Sequence, residues 1–84
     1  SPTFVIEKIY ILNKGPFSRL IHIDAYRLNE ARDLEALGWK ELLAQPSNLI
    51  LLEWPERVLA LMPKSAIRIG FKFTGETTRI VTIE

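Results

Sequence analysis

The sequence contains no cysteine and only one histidine, His22. The absence of cysteine excludes disulfides, thiol nucleophiles and thiolate zinc sites. One histidine cannot build a histidine-rich cluster, so any metal must be bound mostly by oxygen. An excess of one charge is also lacking, because eleven Lys and Arg residues balance ten Asp and Glu residues to a formal net charge of +1. Composition therefore gives no support for a polyanion as a direct partner.

Long apolar runs are absent as well. The longest stretch without a charged residue, residues 42–52, has eleven residues and is interrupted by Gln45, Pro46, Ser47 and Asn48. A membrane span needs roughly 20 apolar residues, so we predict a soluble protein without a membrane partner. The chain has 84 residues, of which 48% are hydrophobic, and this is enough for one small domain over residues 1–84. It starts at Ser1 rather than Met, and we expect it to be a piece of something longer.

Alternation of apolar residues predicts two β-hairpins. The first pairs residues 3–12 with residues 19–26 through a turn that contains Gly15 and Pro16. The second pairs residues 67–73 with residues 78–83, and we expect it at a sheet edge. Between them, the unbroken apolar run of residues 49–52 is typical of an interior strand covered on both faces.

In the remaining segments the apolar residues follow helical spacing. We predict a short helix over residues 30–37, capped by Asn29 and ended by Gly38, followed by one or two further turns before Pro46. Pro55 is placed to begin another helix, which Pro63 closes. These elements together predict an α/β fold.

Two acidic residues stand near the ends of predicted strands. Glu53 directly follows the apolar run of residues 49–52, and Asp24 lies near the end of the second strand. Ligands of open α/β sheets lie beyond the carboxyl ends of the strands, so both acids are functional candidates. An acid after a buried strand resembles the Walker B arrangement, in which it lies beside a phosphate-bound Mg²⁺.

Structural roles compete with these functional ones. Glu53 precedes Pro55 and would serve equally well as a helix cap, and Asp24 would serve as a carboxylate paired with Tyr26 or Arg27. His22 is assigned no role, because the sequence has no second His and no Cys with which it could form a known metal site or catalytic group. Trp39 and Trp54 are by default packing residues.

Three sequence blocks carry a family resemblance. They are Ser1-Pro2-Thr3-Phe4; His22-Ile23-Asp24-Ala25-Tyr26-Arg27-Leu28; and Glu53-Trp54-Pro55-Glu56. In this order and spacing they resemble the SPT[FY], H-[FIL]-D-x-Y-R-L and E-W-P-[EQ] segments of the TsaE (YjeE) family of P-loop ATPases. The resemblance covers essentially the whole chain. It implies a partial P-loop NTPase-like sheet with two β-hairpins and short helices.

One family motif has no counterpart in this chain. No segment matches G-x-x-x-x-G-K-[ST], whose amides, lysine and hydroxyl hold phosphates and Mg²⁺. In the family this loop lies upstream of the SPT segment, so the chain resembles the carboxyl-terminal two thirds of a TsaE protein. We therefore expect no measurable ATP hydrolysis by this polypeptide alone.

The resemblance also implies roles for individual residues. Glu53 and Asp24 would be the catalytic acids and would bind Mg²⁺, with Asp24 either contacting the metal or orienting the attacking water. Thr3 would respond to the γ-phosphate and contribute to the metal site, and Trp54 would pack near the ATP. Tyr26 and Arg27 would position Asp24 or face partner subunits.

The implied biology is synthesis of N6-threonylcarbamoyladenosine in tRNA. A TsaE protein would bind and hydrolyse ATP in the bacterial cytoplasm, engage the TsaD and TsaB proteins, and meet tRNA only through that complex. We also expect self-association through a sheet edge exposed by the loss of a first strand.

Two other functions compete with this one. In the first, the chain is a non-catalytic interaction domain with structural Asp24 and Glu53. In the second, the two acids form the general acid and base of a hydrolase, but the sequence supplies no sugar-binding surface.

Overall fold

The computed structural model describes residues 6–84, and within them it shows five strands, two short α-helices and two 3-10 helices. Thr3 and the start of the first predicted strand lie outside the described residues. The strands are β1 (Glu7–Ile11), β2 (Arg19–Asp24), β3 (Asn48–Glu53), β4 (Ile69–Phe73) and β5 (Arg79–Ile83). The α-helices are α1 (Ala31–Glu35) and α2 (Trp39–Ala44), and the 3-10 helices are Ala25–Arg27 and Pro55–Leu61.

A three-stranded sheet in the order β1-β2-β3 forms the centre of the fold. β1 and β2 are antiparallel, which confirms the first predicted hairpin. β2 and β3 are parallel, and their register pairs Asp24 with Glu53 at the carboxyl ends of the two strands. A parallel pair needs a crossover connection, and here α1 and α2 supply it.

One face of this sheet carries the core. Ile21 and Ile23 of β2 are fully buried, and Ile50 and Leu52 of β3 pack beside them. The helical segments cover this face with further buried side chains, among them Leu34, Trp39 and Val58. The Trp39 indole N–H donates to the Leu61 carbonyl at 3.0 Å, so its packing role is confirmed.

The opposite face of the sheet is open among the described residues. Registered partners share a face, so this open face consists of Lys8 and Tyr10 of β1, Leu20, His22 and Asp24 of β2, and Leu49, Leu51 and Glu53 of β3. Leu51 is 49% exposed, and β3 is an edge strand of this sheet. The prediction of an interior strand covered on both faces is wrong, because no described element packs on this face or pairs with the second edge of β3.

Helix boundaries differ from the sequence prediction at one cap. Glu30, not Asn29, is the N-cap residue of α1, and it forms a capping box with Asp33. The Asp33 side chain accepts from the backbone N–H groups of Asn29 and Glu30 at 3.0 and 3.1 Å. Gly38 does adopt the predicted left-handed conformation (φ 81°), and it separates α1 from α2.

The second hairpin, β4–β5, is confirmed as antiparallel but forms a two-stranded sheet of its own. Every residue of both strands is exposed. Its predicted place at the edge of a larger sheet is therefore not seen among residues 6–84. No helix among residues 6–84 has the length and apolar character needed to cross a bilayer.

Candidate functional site

The carboxyl ends of β2 and β3 bring the two predicted acids together. Asp24 is the last residue of β2 and Glu53 the last of β3, and they are direct partners in the parallel register. Adjacent strands lie about 4.7–4.9 Å apart, and register partners point to the same face of the sheet. The two acidic side chains therefore start from neighbouring positions on one face. The predicted juxtaposition is present, on the open face of the sheet.

Asp24 has a local structural role in addition. Its Oδ1 accepts a hydrogen bond of 3.0 Å from the backbone N–H of Tyr26, which caps the 3-10 helix Ala25–Arg27. The predicted link between Asp24 and Tyr26 is thus made through the backbone, and no ion pair between Asp24 and Arg27 occurs in the described part of the chain. Asp24 is held in one orientation by its own turn.

Glu53 is not the cap of the segment that follows it. Trp54 occupies the N-cap position of the 3-10 helix Pro55–Leu61, where no side chain makes a capping hydrogen bond. The Glu53 carboxylate instead lies against the His22 ring, with 3.2 Å between Oε2 and Nε2. No role was predicted for His22, although it lies two residues before Asp24 on the same strand, which places both side chains on one face.

Trp54 has an unusual backbone for a bulky residue. Its φ and ψ of 60° and 56° lie in the left-handed region, which non-glycine residues adopt at a cost of roughly 1–2 kcal/mol. This conformation turns the chain sharply at the end of β3 and leaves the indole 54% exposed. Trp54 is consequently not a core residue, in contrast to the default expectation for a large aromatic side chain.

The exposed indole is part of an aromatic ledge formed by Tyr26 and Trp54. Their ring centroids are 5.0 Å apart with an interplanar angle of 57°, and the Arg57 guanidinium lies 5.7 Å from the Tyr26 ring centroid. A cavity of about 280 Å³ adjoins the ledge and is lined by Asp24, Tyr26, Arg27 and Trp54. Small-molecule sites usually enclose roughly 300–1,000 Å³, and this cavity lies just below that range. Its four lining residues therefore fit one wall of a ligand site and not a complete site.

Asp24 and Glu53 fit part of the coordination shell of a magnesium ion whose other ligands are water and phosphate oxygens. Among residues 6–84, hydrogen bonds engage Oδ1 of Asp24 and Oε2 of Glu53 and leave the other oxygen of each carboxylate without a partner. No group of three or more His, Asp or Glu side chains that could hold a metal occurs within this range. Mg²⁺ characteristically uses one or two carboxylates and completes its shell with water and substrate phosphates, so a two-acid site fits it.

Comparison with known proteins gives one consistent result. The family model for "Threonylcarbamoyl adenosine biosynthesis protein TsaE" matches residues 1–81. Proteins named tRNA threonylcarbamoyladenosine biosynthesis protein TsaE from Rickettsia bellii and Borreliella burgdorferi are 34% and 33% identical over 83 and 76 residues, respectively. These matches cover 99% and 89% of this chain but only 54% and 53% of the relatives. The chain thus spans about half the length of these relatives, and because the family model covers nearly all of it, the chain belongs to the TsaE family.

Proposed function

We propose that this chain is the carboxyl-terminal part of a magnesium-dependent, ATP-hydrolysing TsaE protein that acts in the synthesis of N6-threonylcarbamoyladenosine in tRNA. The observation that carries the proposal is the parallel register that pairs Asp24 with Glu53 at the mouth of the sheet. Family membership and the names of the relatives support the role in tRNA modification.

The proposed chemistry assigns a role to each residue of the site. Asp24 and Glu53 would hold Mg²⁺, which when bound neutralises charge on the ATP phosphates. Asp24, fixed by the Tyr26 N–H, would alternatively orient the attacking water. Trp54 would offer its exposed face to the nucleotide base, and Thr3 would respond to the γ-phosphate and contribute to the metal site. Phosphoryl transfer depends chiefly on such positioning, so it requires few reactive side chains.

The phosphate-binding loop must come from outside these 84 residues. No glycine-rich phosphate loop occurs in the sequence, and the described cavity is lined only by acid, arginine and aromatic side chains. We therefore propose a P-loop NTPase-like fold for the complete protein and no hydrolysis by this chain alone. TsaD and TsaB in the bacterial cytoplasm would be its partners, with tRNA met only through their complex.

The test uses a TsaE-length hybrid, in which the 84 residues are joined to the part of the Rickettsia bellii relative that the match does not cover. We expect the hybrid to hydrolyse ATP with Mg²⁺ and the 84-residue chain to show neither hydrolysis nor micromolar ATP binding in calorimetry. Glu53→Gln should lower the hybrid's rate at least about 100-fold, a loss typical of removing one preorganised electrostatic contact. Nucleotide-induced quenching of Trp54 fluorescence should persist in that variant, because base contact precedes the chemistry.

Matched controls separate the site from its surroundings. Glu56→Gln changes an exposed carboxylate three residues further on, and it should leave the rate within a factor of about two. Trp54→Phe should abolish the quenching signal, whereas Trp39→Phe should retain it because Trp39 is buried in the core. Equal rates for Glu53→Gln and the parent hybrid would favour the structural alternative, in which both acids are non-catalytic.

A further inference from the structure

His22 reaches the Glu53 carboxylate from the neighbouring strand. It lies on β2 and pairs in register with Leu51 of β3, two residues before Glu53. With about 3.3 Å per residue along a strand and 4.7–4.9 Å between strands, this diagonal offset separates the two backbones by roughly 8 Å. The two side chains together span that distance, because His22 Nε2 and Glu53 Oε2 lie 3.2 Å apart. The contact is therefore made across the strands, on the open face of the sheet.

The chemistry of this contact decides which atom donates. An ionised carboxylate only accepts hydrogen bonds, so Nε2 of His22 carries the proton and donates to Oε2 of Glu53. Asp24 is held in a similar way, since its Oδ1 accepts from the backbone N–H of Tyr26 at 3.0 Å. Among residues 6–84, each acid thus has one oxygen held by a donor and one oxygen left for a cation.

Stability alone does not account for the contact between His22 and Glu53. The two side chains are 38% and 58% exposed, and pairs exposed to this extent contribute little to the free energy of unfolding because water screens them. A free glutamate side chain samples many rotamers, and ordering it before a ligand arrives removes that entropic cost from binding. The contact fits a role in orienting Glu53 better than a role in stabilising the fold.

His22 itself is a poor ligand for the ion of the proposed site. Magnesium is bound through oxygen, whereas imidazole suits zinc, copper, iron and nickel. Carboxylates that bind a metal are commonly fixed by a hydrogen bond from a neighbouring group. We propose that His22 is a positioning residue, which holds Oε2 of Glu53 so that Oε1 stays available to a divalent cation shared with Asp24. The inference rests on the proposed function, because it assumes that Glu53 binds such a cation.

Two amide variants of His22 test the proposal in the TsaE-length hybrid. His22→Gln keeps an N–H donor near the position of Nε2, whereas His22→Asn carries the same amide one methylene shorter and withdraws the donor from Glu53. The probe is Mn²⁺ without nucleotide, because carboxylate and water oxygens suit Mn²⁺ as they suit Mg²⁺. The readout is the Mn²⁺ concentration that broadens the NMR signals of Asp24 and Glu53.

The two variants should differ although both are polar amides at an exposed position. We expect His22→Asn to require about 10-fold more Mn²⁺ than the parent hybrid, and His22→Gln to stay within about threefold of it, since loss of such a hydrogen bond typically weakens metal binding about 10–100-fold. Equal Mn²⁺ requirements of the two variants would overturn the proposal.

A double-mutant cycle separates a role through Glu53 from a general effect on the sheet. In the Glu53→Gln background, His22→Asn should cause no further loss of Mn²⁺ affinity, because the carboxylate that it orients is gone. An equal loss in both backgrounds would mean that His22 acts independently of Glu53, as a ligand or through the fold, and would refute the proposal.

The same variants distinguish this inference from the proposed function. If Glu53→Gln abolishes ATP hydrolysis and weakens Mn²⁺ binding while His22→Asn changes neither, only the positioning role of His22 is wrong. If Mn²⁺ binds at the two acids with the expected dependence on His22 but the hybrid hydrolyses no ATP, the proposed function is wrong and the positioning role stands.

Discussion

Asn48 links three elements through one buried amide. Its Oδ1 accepts from Arg19 Nε at 3.0 Å, and its Nδ2 donates to the Leu42 carbonyl at 3.1 Å. β2, β3 and the end of α2 therefore meet at this side chain, at the opposite end of the sheet from the acids. A buried polar group of this kind is tolerated only because its partners are present.

We expect Asn48→Ala to lower the free energy of unfolding by roughly 1–3 kcal/mol, because the Leu42 carbonyl and the Arg19 guanidinium lose a partner in a partly buried setting. Urea denaturation followed by circular dichroism measures the change. Asn29→Ala is the control, since Asn29 is exposed and only its backbone N–H is engaged, so its effect should stay within about 0.5 kcal/mol. A cost of about 1 kcal/mol for Asn29→Ala would restore the original prediction that it caps α1.

At the candidate site, the sequence predicted where the two acids lie but not their contacts. The strand-end positions of Asp24 and Glu53 were enough to place them side by side, because the carboxyl ends of parallel strands meet at one edge. The predicted capping role of Glu53 is wrong: Asp24 caps the turn that follows it, and Glu53 contacts His22. Which neighbour each acid contacts depends on the backbone conformation nearby, such as the left-handed φ and ψ of Trp54. Residue spacing does not report these angles.

At the scale of elements, glycine fixes the joint between α1 and α2. Gly38 has a φ of 81°, a conformation that costs an L side chain roughly 1–2 kcal/mol. The sequence predicted this joint because a glycine after a helical repeat is a standard C-terminal signal. The covering of β3 was not predictable in the same way, since an apolar run reports that both faces need burial and not whether the chain itself supplies it.

Gly38→Ala should therefore lower the free energy of unfolding by about 1–2 kcal/mol. Gly70→Ala is the comparison, because Gly70 has no positive φ and a Cβ there would meet only Thr82 Cβ at 4.0 Å, an ordinary contact. That second variant should change stability by no more than about 0.5 kcal/mol. Similar losses for the two variants, measured by thermal or urea denaturation, would contradict the explanation by the positive φ of Gly38.

For the molecule as a whole, stability is unevenly distributed. The buried apolar side chains belong to β2, the two 3-10 helices, α1, α2 and the segment before α1, whereas the β4–β5 strands have no buried residue. A hairpin with both sides exposed opens at little cost in free energy, because few apolar contacts are lost. The alternating sequence predicted these strands correctly, but the pattern that marks a strand does not say which surface it packs against.

Limited proteolysis with chymotrypsin should report this difference in the 84-residue chain. We expect the first cuts after Phe71 and Phe73, which are 68% and 74% exposed, and later cuts at Trp39, which is 3% exposed and needs the core to unfold. Mass spectrometry of early digests identifies the sites. Because exposure alone favours cleavage, Tyr26 and Trp54 serve as internal comparisons at 50% and 54% exposure, Tyr26 within the 3-10 helix Ala25–Arg27 and Trp54 between β3 and the 3-10 helix Pro55–Leu61. First cuts at Tyr26 or Trp54, with the hairpin intact, would mean that β4–β5 is held by contacts stronger than those seen among residues 6–84.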